Sequence, residues 1–370
     1  MFEHSRRLSQ RSFEVWQKYE HYFGMVALIG GFCFDLIFAN RPDSDWDNIL
    51  LVCYLLIAGT LIVILNIKSV QKREEEGEVE PFLLLLILQF LFGNLSSNLL
   101  VLYGHSGTFT TNSIFVAVLL GMLVGNEFLK SRYGQLRFNI AVYYLLVFTY
   151  LIISVPTFIF HQIGVWVFLA SGILSLIYIS AFLYAVYRFI LRGKYRKRQL
   201  VEVCVYIGGI FFAFNIFYFL NVIPPVPLAM KDIGIYHSIA RSSGEGYYAL
   251  TYEAPWWFAF WRSTSPTYHL ADGSTAYCVS SVFAPTGLST PIVHSWEFYD
   301  TTTNKWVVRA RVGFAINGGR AEGYRGYSEK TLSAGKWRCD VETSSGALIG
   351  RTTFEATSAT DALALSSRTL

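Results

Sequence analysis

The chain has 370 residues, of which 53% are hydrophobic and only 15% charged, and its mean hydropathy is +0.39. Soluble globular proteins carry about 25% charged residues, so the composition excludes an ordinary soluble protein and favours an integral membrane protein. The net charge is +4, and the C-terminal part, residues 224–370, is close to neutral, which argues against a nucleic-acid partner.

Residues 1–20 form a basic N-terminal segment. It carries Arg6, Arg7, Arg11 and Lys18 and lacks an apolar core, so the pattern does not fit a cleavable signal peptide. We expect this segment to lie in the cytoplasm.

Residues 21–223 contain a series of long apolar runs. Runs of this kind predict membrane-spanning helices, because lipid offers the backbone no hydrogen-bond partner outside the helix. We therefore predict a bundle of about seven transmembrane helices. The runs lie near residues 21–39, 49–67, 81–103, 114–130, 138–160, 165–187 and 200–223.

Basic residues alternate between the connecting segments. The N-terminal segment and the loops 68–80, 129–137 and 188–199 together hold sixteen Lys and Arg residues, whereas the other three loops hold only Arg41. Loops rich in Lys and Arg stay in the cytoplasm. The N-terminus is therefore predicted inside, and seven spans place the C-terminal part outside.

A few polar residues interrupt the predicted spans. Asn94, Ser97 and Asn98 share one helix face, and Glu127 lies near the inner end of the fourth span. Such groups either hydrogen-bond neighbouring helices or line a substrate path. Pro156 is the clearest kink site.

Residues 224–357 change to short runs of period two separated by turn residues. Val308, Ala310, Val312 and Phe314 alternate onto one face. A second run places Trp337, Cys339 and Val341 on one face, with Arg338, Asp340 and Glu342 on the other. The pattern predicts an all-β, immunoglobulin-like antiparallel sandwich. Residues 358–370 are predicted to be a polar, disordered tail.

Trp256 and Trp257 begin an aromatic cluster in this region. If they lie in a strand, they point to opposite faces, which favours one core and one exposed ring. An exposed ring suits contact with the membrane surface or binding of a sugar or lipid.

Arginines supply the most suggestive candidate site. Arginine forks match phosphate and carboxylate groups, so an anionic envelope ligand is one interpretation. The other is a solvated sheet face with cross-strand pairs to Glu297, Glu322 or Glu342. The candidate residues are Arg309, Arg311, Arg320, Arg325 and Arg338.

Cys278 and Cys339 lie in the predicted exported domain, where a disulfide is possible, although Cys339 suits a buried thiol equally well. His237, His269 and His294 lack metal-ligand spacing, so neither a metal nor another cofactor is predicted. No catalytic motif is present.

Several C-terminal segments resemble the bacterial family named domain of unknown function 2914. They are His294-Ser295-Trp296, Trp306, Gly318-Gly319-Arg320, Gly323 to Ser328, and Gly335-Lys336-Trp337-Arg338. Two segments nearer the N-terminus also resemble parts of those family members that have an N-terminal helical region. They are Gly125 to Phe128 and Pro224 to Leu228. The resemblance implies a bacterial inner-membrane protein with an exported C-terminal domain and brings no known activity.

Three functions follow, in order of preference. The exported domain binds an envelope ligand or partner such as an anionic glycan or lipid headgroup, and the helices anchor it. Alternatively, the helices form a transporter or channel. An envelope enzyme ranks last, because its only candidates, Asp272, His269 and Glu322, have uninformative spacing.

Overall fold

The structure is a computed structural model that describes residues 43–72, 82–104, 106, 115–121, 135–189, 196–241, 248–259, 262–270, 275–358 and 364–369. Two compact units make up the chain. The first comprises Met1–Leu102, Val116–Leu151 and Ser171–Ala213, and the second comprises Tyr103–Phe115, Ile152–Ala170 and Phe214–Leu370.

Long apolar helices dominate the N-terminal two thirds of the chain. They are α1 (Asp45–Lys72), α2 (Phe82–Gly104), α3 (Leu136–Ser154), α4 (Val165–Phe189) and α5 (Arg196–Phe219). Within the described residues, five helical segments are long and apolar enough to cross a membrane. They coincide with the second, third, fifth, sixth and seventh predicted spans.

Two predicted spans remain untested. The first, 21–39, lies outside the described residues, and of the fourth, 114–130, only the helical residues 115–121 are described. The count of seven therefore stays a prediction.

Pro156 changes the helix type, as expected of a residue that lacks a backbone N–H. Helix α3 passes at Val155 into a π-helix, Val155–Phe160, which ends at His161 in the left-handed conformation. The Thr157 hydroxyl donates to the Ile153 carbonyl at 2.6 Å.

Among its described residues, the C-terminal part contains eleven strands. They are β1 (Ala229–Tyr236), β2 (Ser238–Arg241), β3 (Tyr248–Tyr252), β4 (Thr267–Leu270), β5 (Thr275–Phe283), β6 (Ser289–Asp300), β7 (Lys305–Asn317), β8 (Tyr324–Thr331), β9 (Gly335–Thr343), β10 (Leu348–Ser358) and β11 (Ser366–Thr369). Three sheets form, in the orders β1-β5-β8, β4-β10-β9-β6-β7 and β11-β3-β2. All pairs are antiparallel except β10 with β4.

Three buried clusters of described residues lie along the strands, one of them around Tyr236 and Leu250. The linker-end cluster includes Leu228 and Ile292, and the disulfide-end cluster includes Trp296 and Phe354. Strand β6 therefore runs from the linker end, at Ile292, to the disulfide end, at Trp296. Cys278 of β5 and Cys339 of β9 form a disulfide that joins two of the sheets.

The predicted alternation is confirmed for β9 and partly wrong for β7. Trp337, Cys339 and Val341 are all buried. In β7, however, Val308 is 49% exposed and Val312 37% exposed. A register shift opposite Trp296 and Glu297 interrupts the alternation, and β7 is the edge strand of its sheet.

The predicted disordered tail is wrong in part, because Ser366–Thr369 form β11 against β3. Arg368 explains why this polar segment docks. Its guanidinium contacts the Asp232 carboxylate at 2.5 Å and lies 5.0 Å from the Tyr236 ring centre, so charge pairing and ring contact replace an apolar anchor.

Candidate ligand-binding face

One face of the five-stranded sheet carries three carboxylates close together. Glu297 of β6 and Asp340 of β9 are buried, and Glu342 of β9 is half-buried. An oxygen from each lies within 4.8 Å of the others. Burial raises the pKa of Glu342 above its ordinary value, and Arg311 opposes that rise.

Three arginines neutralise these carboxylates. Arg338 donates through Nε and Nη2 to Glu297 Oε2 at 3.0 and 2.6 Å. Arg351 forms a bidentate ion pair with Asp340, and Arg311 donates to Glu342 at 2.8 Å. Each carboxylate thus has its own guanidinium, so we interpret the cluster as an ion-pair network rather than a cation site.

Aromatic rings and cations extend this network toward the disulfide end. The Tyr299 and Trp306 ring centres are 5.2 Å apart, and the Arg338 guanidinium lies 4.5 Å from the Trp306 centre. Lys336 Nζ lies 5.8 Å from the Tyr299 ring. Arg309 lies 5.7 Å from the ring of Phe298, which packs against the disulfide-end cluster on the opposite face of the sheet. We call Tyr299, Trp306, Lys336 and Arg338 the Trp306 face.

The five predicted arginines do not form one patch. Arg311 and Arg338 make the cross-strand pairs considered as the alternative. Arg320 follows the far end of β7 and lies 5.6 Å from the Tyr324 ring. Arg325 belongs to β8 of another sheet, opposite Ser281. At 3.3 Å per residue, β7 separates Arg320 from Trp306 by roughly 35 Å.

Packing explains the glycine-rich segment around Arg320. A side-chain carbon at Gly318 would lie 1.7 Å from the Pro285 carbonyl oxygen, and one at Gly326 would lie 2.2 Å from the Phe314 ring. Gly323 adopts a φ of 85°, which favours glycine. The glycine-rich segment therefore has a structural role that its sequence does not reveal.

His294 belongs to a buried polar cluster. Its Nε2 contacts the Ser280 hydroxyl at 2.7 Å and its Nδ1 the Ser328 hydroxyl at 2.9 Å, while Trp296 also donates to Ser328. Burial lowers the His294 pKa to about 4. Cys278 and Cys339 lie close enough to share a metal with His294, but their sulfurs are bonded to each other and both imidazole nitrogens are occupied.

Two further histidines meet at Glu253, a contact that sequence spacing did not predict. His237 Nε2 lies 2.9 Å from Glu253 Oε1, and His269 Nδ1 lies 2.7 Å from Oε2. Burial raises the pKa of Glu253, but hydrogen bonds from His269 and His237 outweigh it and hold the pKa below its ordinary value. The cluster joins the end of β3 to β4.

Trp256 and Trp257 lie in a loop rather than a strand, so the expectation of one core ring is wrong. Trp256 is 67% exposed and Trp257 is 90% exposed. Because both residues lie in the turn between β3 and β4, the alternation of side chains between the two faces of a strand does not apply to them.

The polar residues of α2 are packed inside the helical unit. Ser97 and Asn98 are buried, and Asn98 Nδ2 donates to the Asn94 carbonyl at 3.1 Å. This hydrogen bond lies within α2, and the Ser97 hydroxyl finds no hydrogen-bond partner among the described residues. Glu127 lies outside the described residues.

Comparison with known proteins adds a family match over one segment of the chain and no activity. Residues 289–356 match the family described as "Protein of unknown function (DUF2914)", and this segment contains the whole Trp306 face. No curated protein matches the chain. One solved structure, Pseudomonas fluorescens alkylpurine DNA glycosylase AlkC bound to DNA containing an abasic site analog, is 11% identical over 76% of this chain and 83% of that one, with a TM-score of 0.17; this score is too low to indicate a shared fold.

Proposed function

We propose that the β-rich region, whose residues 289–356 match the DUF2914 family, is an exported domain that binds an anionic envelope glycan or lipid headgroup at the Trp306 face. In this proposal the chain is a multi-pass protein of the bacterial inner membrane, with seven spans and a cytoplasmic N-terminus. Its C-terminal domain is an immunoglobulin-like sandwich. The membrane-length helices and the asymmetry of basic residues support this topology.

The observation that carries the proposal is the fixed pairing of rings with cations. Glu297 holds the Arg338 guanidinium over Trp306, next to Tyr299. Aromatic rings offer flat apolar contact area, and the held guanidinium keeps the Trp306 ring in a fixed position.

Charge defines the class of ligand. Lys336 is exposed, and it makes no salt bridge with any residue that the structure describes. This cation is available to an anion, whereas Arg311 and Arg338 are committed to carboxylates. A sugar bearing a carboxylate or phosphate would use the rings and the Lys336 ammonium together.

Transport by the helices remains the alternative function. It would use Asn94, Ser97, Asn98 and Glu127, of which Ser97 and Asn98 are buried in the structure. An envelope enzyme is the third candidate. Of its proposed residues, His269 binds Glu253, and Asp272 lies outside the described residues.

Binding measured with paired variants tests the proposal. The full chain in lipid nanodiscs would be titrated with uronic-acid oligosaccharides, phosphorylated oligosaccharides and glycerophosphoglycerol. For the probe that binds, we expect Trp306→Ala to weaken affinity by about tenfold or more, as expected for a central aromatic contact. Arg320→Ala, at the other end of β7, serves as the matched control.

Two outcomes would contradict the Trp306 face as the site. One is a loss of binding in Arg320→Ala with normal affinity in Trp306→Ala. The other is a folded protein that binds none of the three probes.

A further inference from the structure

The loop between β3 and β4 carries an exposed apolar tip. Trp256, Trp257 and Phe258, which we call the aromatic tip, are 67%, 90% and 52% exposed. The residues from Ala254 to Ala259 include no charged side chain. The Phe258 ring centre lies 6.1 Å from that of Trp256 and 5.9 Å from that of Trp257, so the rings form one apolar surface.

Hydrogen bonds fix the base of this loop. Ser265 N donates to the Glu253 carbonyl at 2.8 Å, closing the two ends of the loop onto each other. Arg262 Nη2 donates to the Thr353 carbonyl of β10 at 2.6 Å. The Ala259 N–H donates to the Trp256 carbonyl at 2.8 Å. The tip is thus presented by an ordered turn.

The run that follows the tip shows its direction. Ile235 N donates to Thr264 Oγ1 at 3.2 Å, and the Ser263 hydroxyl contacts the Asp232 carboxylate. Followed backwards from Thr264 to Ser263, the loop therefore runs alongside β1 from Ile235 toward Asp232, which is toward the start of β1. The tip lies further back still, so it extends toward the linker end of the β-rich region.

The linker end adjoins the ends of helices α4 and α5 that belong to the same compact unit. Helix α5 ends at Phe219 and β1 begins at Ala229. The nine residues between them span at most roughly 30 Å. Ile163, in the turn between the π-helix and α4, packs against the linker-end cluster. The β-rich region is therefore tethered close to the helix ends.

Exposed rings also lie at these helix ends. Trp166, at the start of α4, is 83% exposed, and Phe219, at the end of α5, is 60% exposed. Tryptophan is enriched where hydrocarbon meets headgroups, because its ring is amphipathic.

We propose that the aromatic tip inserts into the interfacial layer of the bilayer that contains the helices. The occupant is lipid, because the tip is apolar, lacks the cations of the Trp306 face and extends toward the tethered end. Insertion gives the β-rich region a second, non-covalent membrane contact and restricts its rotation about the linker. This inference concerns a different surface from the proposed ligand site and does not depend on a glycan.

Site-specific fluorescence tests the insertion. The full chain would carry Ser in place of Cys33, Cys53 and Cys204, keep the Cys278–Cys339 disulfide, and be labelled at Trp257→Cys with an environment-sensitive dye. In nanodiscs, doxyl-labelled lipids would quench the dye from the bilayer and iodide would quench it from water. The control is Thr301→Cys, an exposed residue just after β6 at the disulfide end.

We expect blue-shifted emission and quenching by doxyl lipids at position 257, and quenching by iodide alone at position 301. Iodide quenching at both positions would overturn the proposal. Protection of position 257 from both quenchers would also overturn it, because a protein surface or a second copy would then cover the tip. Phe258→Cys repeats the measurement with Trp256 and Trp257 intact, in case the first variant fails to fold.

Discussion

Replacing Cys278 and Cys339 together by alanine is expected to lower the free energy of unfolding of the β-rich region by about 4 kcal/mol. The two residues are 61 apart in sequence and both are fully buried. The disulfide closes a loop in the unfolded chain and lowers its conformational entropy. Removing the bond therefore makes unfolding entropically more favourable. Alanine avoids leaving a buried hydroxyl in the cavity.

The measurement is denaturant-dependent proteolysis of the full chain in mild detergent. The matched control replaces Cys53 and Cys204, which are free cysteines in the helices, and should leave the transition in place. Equal transitions for the two double variants would show that the disulfide contributes no stability. A reducing agent should reproduce the effect in the natural protein and have none in the alanine variant.

Acidification from pH 6.5 to about 4 is expected to destabilise the β-rich region through His294. Burial lowers the folded-state pKa of His294 to about 4, whereas an unfolded histidine titrates near 6.5. Between these two pH values, His294 is protonated in the unfolded chain and neutral in the folded chain. The stability is therefore complete above pH 6.5 and falls by roughly 3 kcal/mol as the pH approaches 4.

A His294→Gln variant isolates this effect. The amide can still bond to Ser280 and Ser328 but does not titrate, so its stability should depend less on pH across this window. Comparison of the two proteins cancels the contribution of Glu342, whose raised pKa acts in the opposite direction. Parallel pH profiles for the two proteins would contradict the assignment to His294.

Local sequence patterns predicted the strands themselves better than they predicted which strands pair with one another. Alternation placed Trp337, Cys339 and Val341 in the core because β9 is an interior strand with neighbours on both sides. The same rule was wrong for Val308, because a register shift depends on the partner strand β6. The docking of Arg368 likewise depends on a contact 136 residues away.

The candidate site was only partly predictable for the same reason. Arginines suggested an anionic ligand, but strand order decides which of them meet carboxylates. Trp306 appeared only as a motif residue, and its pairing with Tyr299 follows from the β6–β7 register. His237 and His269 both contact Glu253, and the spacing of these three residues along the chain does not indicate that they meet.

The side of the membrane on which the β-rich region lies is the most direct test of an exported binding domain. A membrane-impermeant maleimide would be applied to intact spheroplasts that carry Thr301→Cys in the chain lacking Cys33, Cys53 and Cys204. Lys194→Cys, in the basic loop predicted to be cytoplasmic, is the matched control. We expect Thr301→Cys to react before lysis and Lys194→Cys only after it, and reaction of Thr301→Cys only after lysis would contradict an exported domain.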